Sequence, residues 1–334
     1  MRTTIHDVAR EAGVSLAAVS RAMNERGEVS PSQRARILEV ARRLQYVPNS
    51  IAQSLVLGKT KTLGVMVTDN ASPIYAEILK GIEGVAVAAG FSVLLCNSAD
   101  SPERAKLGIE MLTAKRVDAV LLTPVQADQE EVRYLEASGI PFVLLLRHFH
   151  DESTDYVITD NFAAGHVATA HLLDLGHRRI AHVGGPVGAS SAEGRLAGYR
   201  RALAGCDIPF DGDLVTHGFF TVAGGADSAH HLLDRPDPPT AIFAATDLQA
   251  VGVLKAARER GLRIPTDLAL VGGDDIELAA FLEPPLTTFH QPSREIGARG
   301  AEILLEKLSG VATQPQHVVF QPELIIRRSS GCKQ

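Results

Sequence analysis

From residue 62 onward, the sequence alternates short apolar runs with longer stretches of helical period. The apolar runs occupy residues 63–67, 92–95, 119–122, 142–146, 156–158, 180–183, 241–244 and 268–271. The helical patterns occupy residues 74–89, 104–113, 161–175, 194–204, 223–233, 248–260 and 294–308. This alternation predicts parallel sheets covered by helices. Because the stretch is longer than one such unit usually is, we expect two subdomains, each with its own core.

Residues 4–24, TIHDVAREAGVSLAAVSRAMN, predict two short helices joined by a tight turn, a unit that can read DNA. Thr4 and Asp7 have the spacing of a capping box, Gly13 supplies the bend, and Ser15 can cap the second helix. An apolar stripe of the first helix is formed by Ile5, Val8, Ala9 and Ala12. An ordinary amphipathic helix pair would show the same stripes, so both interpretations remain open on these residues alone.

The second helix is predicted to bury one face and to expose the other. The buried face is expected among Leu16, Val19, Ala22 and Met23. The side chains free to point outward are Ala17, Ser20, Arg21 and Asn24. A third helix begins at Ser30 and Pro31, with an apolar stripe of Ile37, Leu38, Ala41 and Leu44.

Charge is distributed unevenly along the chain. Residues 1–60 contain nine Lys and Arg against five Asp and Glu, a net charge of +4, although the whole chain carries −6. A basic head on an acidic body is typical of a polyanion-binding module attached to an unrelated domain.

Three segments of the first 60 residues carry a specific resemblance. They are T-I-x-D-V-A-x-x-A-G-V-S-x-x-x-V-S-R from Thr4 to Arg21, Tyr46-Val47-Pro48-Asn49, and Ala52-Gln53-Ser54-Leu55. With these motifs the chain resembles the lactose/galactose repressor (LacI/GalR) family of transcription factors, over essentially its whole length. The resemblance implies a repressor that binds a pseudo-palindromic operator as a homodimer, with an affinity set by a small-molecule effector.

The resemblance also implies which residues contact DNA. Leu16 and Ala17 match the base-reading pair, and because both are apolar, Arg21 is the expected polar reader. Ala18 departs from the usual Thr, which removes a hydroxyl that could contact phosphate. The full predicted set is Thr4, Ser15, Leu16, Ala17, Ser20, Arg21 and Asn24 in the head, with Asn49, Ala52 and Leu55 in a hinge helix that orders on DNA.

The same resemblance predicts a domain organisation. It comprises a helix-turn-helix head at residues 1–47, a hinge helix and linker at 48–60, and a periplasmic-binding-protein-like α/β body at 61–334. The body is divided into one subdomain of about residues 61–160 and 291–320 and another of about 161–290 and 321–330. We expect crossings near residues 160–161, 290–291 and 320–321.

Ligand sites in such bodies lie beyond the carboxyl ends of the strands, in the cleft between the subdomains. The residues predicted to bind the effector are Tyr75, Arg147, Arg195, Phe220, Asp247, Asp274 and Gln291. Other roles remain open for four of the residues near these strand ends: Asp247 and Asp275 could be helix caps, and Tyr75 and Phe220 could belong to the core.

Two departures bear on the ligand. Leu146 stands where many members have Asp, which removes a hydroxyl acceptor, and Gly273 stands where an aromatic residue is common, which would widen the pocket. The sequence leaves an uncharged sugar or polyol, a nucleobase and an acidic metabolite as alternatives, and Arg147 with Arg195 would suit an anion.

Enzyme motifs are missing from the strand ends. Residues 184–188, GGPVG, match neither a dinucleotide fingerprint nor a P-loop, and the chain has no G-x-S-x-G elbow. His148 and His150 could face one side of a strand, but no further metal ligands accompany them, so we expect solvated histidines, no metal and no cofactor. The rival interpretation is an enzyme or a transporter-type binding protein on the same body.

Location and assembly follow from smaller signals. Three widely spaced cysteines, no apolar leader and no apolar run of membrane-spanning length predict a cytoplasmic protein. The eight polar residues 327–334 offer no heptads for a tetramerising coiled coil, so we expect a dimer with a loose C-terminal tail.

Overall fold

The computed structural model describes residues 3–23, 29–47, 58–124, 130–149, 153–311 and 314–331. The chain divides into two compact units, Met1–Thr60 and Lys61–Gln334. We call the first unit the head and the second the body.

The head contains three helices in its described residues, α1 (Ile5–Ala12), α2 (Leu16–Met23) and α3 (Pro31–Arg43). Gly13 ends α1 with a positive φ of 64°, a conformation that glycine adopts without strain, and the amide of Val14 donates back to the carbonyl of Ala9 at 3.0 Å. The turn between α1 and α2 therefore has the geometry that the sequence predicts.

Polar side chains cap the head helices as expected. The Asp7 carboxylate accepts the amide of Thr4 at 3.0 Å and its hydroxyl at 2.7 Å. The hydroxyl of Ser15 accepts the Ala18 amide at 3.2 Å, and Ser30 accepts the Gln33 amide at 3.3 Å in front of Pro31. Each bond satisfies a backbone or hydroxyl donor at a helix start.

The head core differs from the prediction at two positions. Leu16 is 39% exposed, so its expected share in the buried face is wrong, and Ala18 is buried beside Val19 instead. In α3, Val40 is buried together with Ile37 and Ala41, while Leu38 and the following Leu44 are only half-buried. Val40 lies three residues after Ile37 and next to Ala41, so these three side chains share one face of the helix. Leu38 lies to the side of that face.

The body is built from strands and helices in alternation. Its described strands are β1 (Thr62–Val67), β2 (Ser92–Asn97), β3 (Ala119–Leu122), β4 (Phe142–Leu145), β5 (Tyr156–Thr159), β6 (Ile180–Gly184), β7 (Val215–His217), β8 (Ala241–Ala244), β9 (Ala269–Asp274), β10 (Thr287–His290), β11 (His317–Phe320) and β12 (Glu323–Ile325). Its described helices are α4 (Pro73–Ala88), α5 (Pro102–Ala114), α6 (Glu130–Ser138), α7 (Asn161–Asp174), α8 (Ser190–Gly205), α9 (Val222–Leu233), α10 (Asp247–Glu259) and α11 (Ser293–Leu308). Among the described residues, none of these helices is both long and apolar enough to cross a membrane.

Two six-stranded sheets organise the body. Sheet A has the order β11-β5-β4-β3-β1-β2 and sheet B the order β12-β10-β9-β8-β6-β7. All described pairings are parallel except β10 with β12. The predicted α/β architecture with two parallel-sheet layers is confirmed. Four short strands, β7, β10, β11 and β12, and the nine-residue helix α6 were not among the predicted elements.

The chain passes between the sheets three times. Strand β5 of sheet A leads through α7 into β6 of sheet B, β10 of sheet B is followed by α11, and β11 of sheet A is followed by β12 of sheet B. Helix α11 packs on α4 so closely that a Cβ on Gly81 would lie 2.0 Å from the Arg294 carbonyl oxygen, and one on Gly297 would lie 2.1 Å from the Ile78 carbonyl oxygen. Glycine is therefore required at both helix positions.

The segment after β12 is not the loose tail that the sequence suggested. Ser329 and Ser330 are almost completely buried. The Ser329 hydroxyl donates to the Leu270 carbonyl at 2.6 Å and accepts the Thr287 amide at 2.8 Å, and its carbonyl accepts the Leu270 amide at 2.8 Å. Short polar side chains make this attachment possible because they satisfy the backbone at the end of sheet B.

Ser329→Ala should destabilise the protein by about 1–3 kcal/mol, because it leaves the buried Thr287 amide without its acceptor. Urea unfolding of the full chain measures the change. The matched control is Ser309→Ala, at an exposed serine that caps the end of α11, and it should stay within about 0.5 kcal/mol of the parent. Equal stability of the two variants would contradict a structural role for Ser329.

Candidate functional site

The described residues that were predicted to be functional lie in two regions, the surface of the head and the body, where most of them line one cavity. On the head, Thr4, Ser15, Leu16, Ala17 and Arg21 are exposed, and Ser20 is half-buried. The remaining predicted DNA contacts, Asn24, Asn49, Ala52 and Leu55, lie outside the described residues.

The exposed start of α2 combines two apolar side chains with one cation. Leu16 and Ala17 occupy the first turn, and Arg21 lies one turn later on the same exposed surface. Ala18 is 7% exposed and faces the head core, so it offers no surface to a ligand at this position. A surface of this kind can enter a major groove with Arg21 as its long hydrogen-bond donor.

The body contains a cavity of about 60 Å³ at the carboxyl ends of the strands of both sheets. Six of the seven residues predicted to bind the effector line it, namely Tyr75, Arg147, Arg195, Phe220, Asp274 and Gln291. The other lining residues are Thr68, Asp69, Ser72, Ile74, Asp100, Leu146, Ser191, Thr221, Thr246 and Leu248.

Arg195 is the centre of the cavity wall. It is 4% exposed; its Nε donates to Asn161 Oδ1 at 3.0 Å, and one terminal nitrogen donates to the Ala245 carbonyl at 2.6 Å. Its other terminal nitrogen lies 3.5 Å from Gln291 Oε1 and 3.9 Å from Asp274 Oδ1. The guanidinium is therefore fixed by four protein groups and presents one edge to the cavity.

A second buried guanidinium lies near the same aromatic ring as the first. Arg147 is 4% exposed, donates to the Pro124 carbonyl at 2.9 Å and lies 3.6 Å from Asp100 Oδ1. The guanidinium carbons of Arg147 and Arg195 lie 5.7 Å and 6.0 Å from the ring centroid of Phe220. Both cations thus contact the ring within the range of cation–π attraction.

Burial shapes the ionisation of the acidic groups at this site. It raises the pKa of Asp274 to about 7, although the neighbouring Arg195 opposes the shift. Burial and the charge of Asp274 raise the pKa of Asp247 well above its ordinary value. The two carboxyls therefore take up protons at a pH where exposed carboxyls have lost theirs.

Asp247 and Asp275 play structural roles. Asp247 is fully buried outside the cavity lining; its carboxylate accepts the Thr288 hydroxyl at 2.6 Å and the Ile276 amide at 2.9 Å. The N-cap of α10 is the preceding residue, Thr246, so Asp247 is not the cap. Asp275 is not a helix cap either, because its carboxylate bridges His290 at 3.1 Å and Arg327 at 2.7 Å.

Two lining residues have strained backbones. Leu146 has a φ of 65° and Asp274 a φ of 113°, values that side-chain-bearing residues rarely adopt. The Arg147 amide donates to the Leu145 carbonyl at 2.7 Å, which closes a tight turn around Leu146 and aims Arg147 into the cavity. Strain of this kind concentrates where a ligand site must be held in shape.

The expected widening at Gly273 does not occur. A Cβ at this glycine would lie 2.4 Å from the ring of Phe289, which occupies the space, and the Arg195 guanidinium lies 4.9 Å from that ring's centroid. Leu146 lines the cavity with an apolar side chain, as its departure from the family pattern predicts.

Several polar lining residues were missed in the sequence. Thr68 and Asp69 directly follow β1, Thr246 lies two residues after β8, and Asp100 comes shortly after β2, so the strand-end criterion could have found them. Thr68 also contacts Tyr75 through a 2.6 Å hydrogen bond between hydroxyls, and burial raises the pKa of Tyr75. Tyr75 therefore serves both as core residue and as cavity wall.

The described residues contain no group of three or more His, Cys, Asp or Glu side chains that could hold a metal ion. His148 stacks on Tyr156 with ring centroids 4.8 Å apart, and its Nδ1 lies 2.9 Å from the Phe149 carbonyl oxygen. His150 lies outside the described residues.

The contribution of Asp274 to stability should fall as pH rises from about 4 to 7, because folded Asp274 keeps its proton up to a pKa of about 7 while the unfolded residue loses it near 3.8. Urea unfolding of the parent and of Asp274→Asn at pH 5 and pH 7 separates this contribution from those of other groups, such as buried His182, whose lowered pKa acts in the opposite sense. Between pH 5 and pH 7, Asp274→Asn should therefore gain stability relative to the parent. Asp267→Asn should keep the parent's pH dependence over this range, because a hydrogen bond from Arg263 lowers the Asp267 pKa to about 2. An Asp274→Asn variant with the parent's pH dependence would contradict the assignment.

Comparison with known proteins identifies both units. Residues 4–49 match the family model "Bacterial regulatory proteins, lacI family", and residues 169–330 match the model of a periplasmic binding protein-like domain. The chain is 37% identical to the ribose operon repressor of Escherichia coli (strain K12) over 330 residues, which cover 98% of this chain and 99% of the relative.

Solved structures agree over the full length. The lac repressor dimer bound to operator and the anti-inducer ONPF has a TM-score of 0.87 at 29% identity, covering 99% of each chain. The complex of the transcriptional regulator CelR with cellobiose has a TM-score of 0.77 at 35% identity, covering 98% of this chain and 100% of the other. The chain belongs to the lacI family of bacterial regulatory proteins and is a DNA-binding transcriptional regulator of the repressor type, not an enzyme.

Proposed function

We propose that this regulator binds a neutral sugar or a similar polyol in the body cavity and that the sugar controls its affinity for operator DNA. The observation that carries the proposal is the pair of buried guanidiniums, Arg147 and Arg195, each within 4 Å of a carboxylate and both against the ring of Phe220.

The charges of the cavity favour a neutral ligand over an anion. Three carboxyl side chains line it, Asp69, Asp100 and Asp274, against the two guanidiniums. Arg147 has the Asp100 carboxylate beside it, and Arg195 has Asp274, which is partly ionised near pH 7, so an anionic metabolite would meet little unbalanced positive charge. Carboxylates accept hydroxyl hydrogens and guanidiniums donate to hydroxyl oxygens, which suits a polyhydroxylated molecule.

The aromatic wall supplies the rest of the recognition. The apolar face of a sugar ring can pack on Phe220 while its hydroxyls reach the charged groups around the ring's edge. Two similar proteins support this class of ligand by name: the ribose operon repressor and the CelR complex with cellobiose. A flat nucleobase could also stack on Phe220 and is the second candidate.

A thermal-shift series with D-ribose, cellobiose and adenine distinguishes these ligands, since a bound ligand raises the melting temperature by mass action. We expect a sugar to stabilise the protein and adenine to leave it unchanged. Asp274→Asn should weaken sugar binding by about tenfold or more, because the amide replaces one of the two acceptor oxygens in a buried site with an N–H donor. The control is Asp275→Asn, because the Asp275 carboxylate lies outside the cavity. This variant should keep the parent affinity. Stabilisation by adenine alone would show that the ligand is a nucleobase and not a sugar.

The head supplies the DNA-binding part of the proposal. We propose that residues 1–47 read DNA, that residues 48–60 form the hinge helix with Asn49, Ala52 and Leu55 at the minor groove, and that residues 61–334 bind ligand and dimerise. The subdomains proposed for the body are about 61–160 with 291–320, and about 161–290 with 321–330. A hinge of this length gains its helical order from DNA and a second copy of the chain.

Control of DNA binding then follows from the position of the ligand. A sugar that contacts strand ends of both sheets stabilises one relative orientation of the subdomains, and this orientation sets how readily the paired hinges fold on the operator. The ligand can shift the equilibrium between the two orientations by no more than the difference between its binding free energies to them.

Arg21→Ala should cost about 1–3 kcal/mol of operator binding and relax preference at one base pair of each half-site, because Arg21 is the long donor on the exposed start of α2. Binding to a randomised half-site library measures both effects. The control is Arg42→Ala, an exposed arginine at the end of α3, which should weaken all sequences alike and reduce the salt dependence. An unchanged base preference in the Arg21 variant would exclude it as a base reader.

We propose a cytoplasmic homodimer, since a repressor acts on DNA and two heads match a pseudo-palindromic site. Large apolar side chains are exposed around sheet B, with Leu278 59% and Phe281 76% accessible in the single chain. Sedimentation equilibrium with reductant present should give the mass of two chains, and a stable mass of four chains would contradict the dimer.

A further inference from the structure

A second cavity lies beyond the carboxyl end of β6, within the sheet B part of the body. It has a volume of about 210 Å³, larger than the first, and shares no lining residue with it. Its floor is formed by His182 and Gly184, its sides by Leu196 and the loop around Val187, and its rim by the exposed His217 and Glu193.

His182 has a polar atom that no described group satisfies. The residue is fully buried, and its ring stacks on Phe243 at 4.7 Å and on Tyr199 at 5.5 Å between centroids. Its Nδ1 lies 3.1 Å from the Phe243 carbonyl oxygen, which can only accept, so Nδ1 carries the hydrogen. Burial lowers the pKa of His182 to about 3, so the ring is neutral at pH 7 and Nε2 is an acceptor without a donor.

The next residue on the same strand face is a glycine, so no side chain at position 184 stands beside this nitrogen. A Cβ on Gly184 would lie 3.4 Å from His182 Nε2 and 2.9 Å from the Thr216 carbonyl oxygen, so a side chain there would crowd the place that a hydrogen-bond donor needs. An unsatisfied buried acceptor is costly, and a structure that keeps one beside a cavity gains free energy when a donor enters.

We propose that this second cavity is a binding site for a small, uncharged, largely apolar molecule that donates one N–H or O–H hydrogen bond to His182 Nε2. Val187 and Leu196 supply the apolar contact, and the polar groups of the rim stay in water at the mouth. Planar N–H heterocycles and phenols are the chemical class that fits.

The site is also placed to communicate with the first cavity. A Cβ on Gly185, which lines the second cavity, would lie 2.1 Å from the ring of Phe220, so the glycine backbone packs directly on that ring. Helix α8 lines the first cavity with Ser191 and Arg195 and the second with Leu196. A molecule in the second cavity therefore touches the same loop and helix that hold the sugar-binding wall.

Indole and 1-methylindole, which lacks the N–H, test the site in calorimetric titrations of the full chain. Indole should bind about tenfold more tightly than 1-methylindole, because only indole satisfies Nε2. In the ¹⁵N spectrum, indole should move the His182 Nε2 resonance. Equal affinities, no heat with indole, or an unmoved resonance would overturn the proposal.

Two variants locate the binding. His182→Phe keeps a ring between Phe243 and Tyr199 and should bind indole and 1-methylindole equally, since the acceptor is gone. Leu196→Trp should fill the cavity and abolish binding of both. Binding that survives Leu196→Trp, or a soaked crystal with only a water molecule at Nε2, would overturn the assignment.

Discussion

The buried guanidinium of Arg195 connects the segments of the body that surround its first cavity. Arg195 is almost completely buried, so each of its donors needs a partner inside the protein. The partners are Asn161 on the segment that leaves sheet A, Ala245 just beyond β8, Asp274 at the end of β9 and Gln291 on the segment after β10. Asn161 and Gln291 lie on segments that cross between the two sheets. The hydrogen bonds of one buried guanidinium therefore hold both segments against the strand ends. Removing Arg195 would leave two buried acceptors, the Asn161 side-chain oxygen and the Ala245 carbonyl, without their donor.

The architecture of the body and much of its cavity could be predicted because both depend on local pattern. Apolar runs mark the long strands, and polar residues placed directly after them, such as Arg147 and Asp274, reach the cavity. Asp247 also follows a strand, yet it turns inward to Thr288 and Ile276, since its neighbours there come from distant parts of the chain. Only the strand order, which no local pattern encodes, decides which strand ends meet.

The head illustrates the same limit on a smaller scale. Caps at Thr4, Ser15 and Ser30 were predictable because capping uses atoms two or three residues away. Whether Leu38 or Val40 enters the core depends on the angle at which α3 crosses the other helices, which is a tertiary property. The exposed Leu16 follows the same logic, since an apolar residue that the core does not need remains at the surface, where it can meet a thymine methyl.

The interleaving of the two sheets has a consequence for synthesis on the ribosome. Sheet A begins with β1 at residue 62, yet its edge strand β11 is made only at residues 317–320, after β6 to β10 of sheet B have been translated. Sheet B is likewise incomplete until β12 and Ser329, which binds the backbone at Leu270, have been translated. Neither half can therefore complete its sheet during translation of the other, and both are completed within the same final stretch of chain. Contacts at such sequence separations form slowly, so a nascent chain exposes unpaired strand edges until that stretch emerges. The arrangement that couples the two subdomains also makes their folding a single late event.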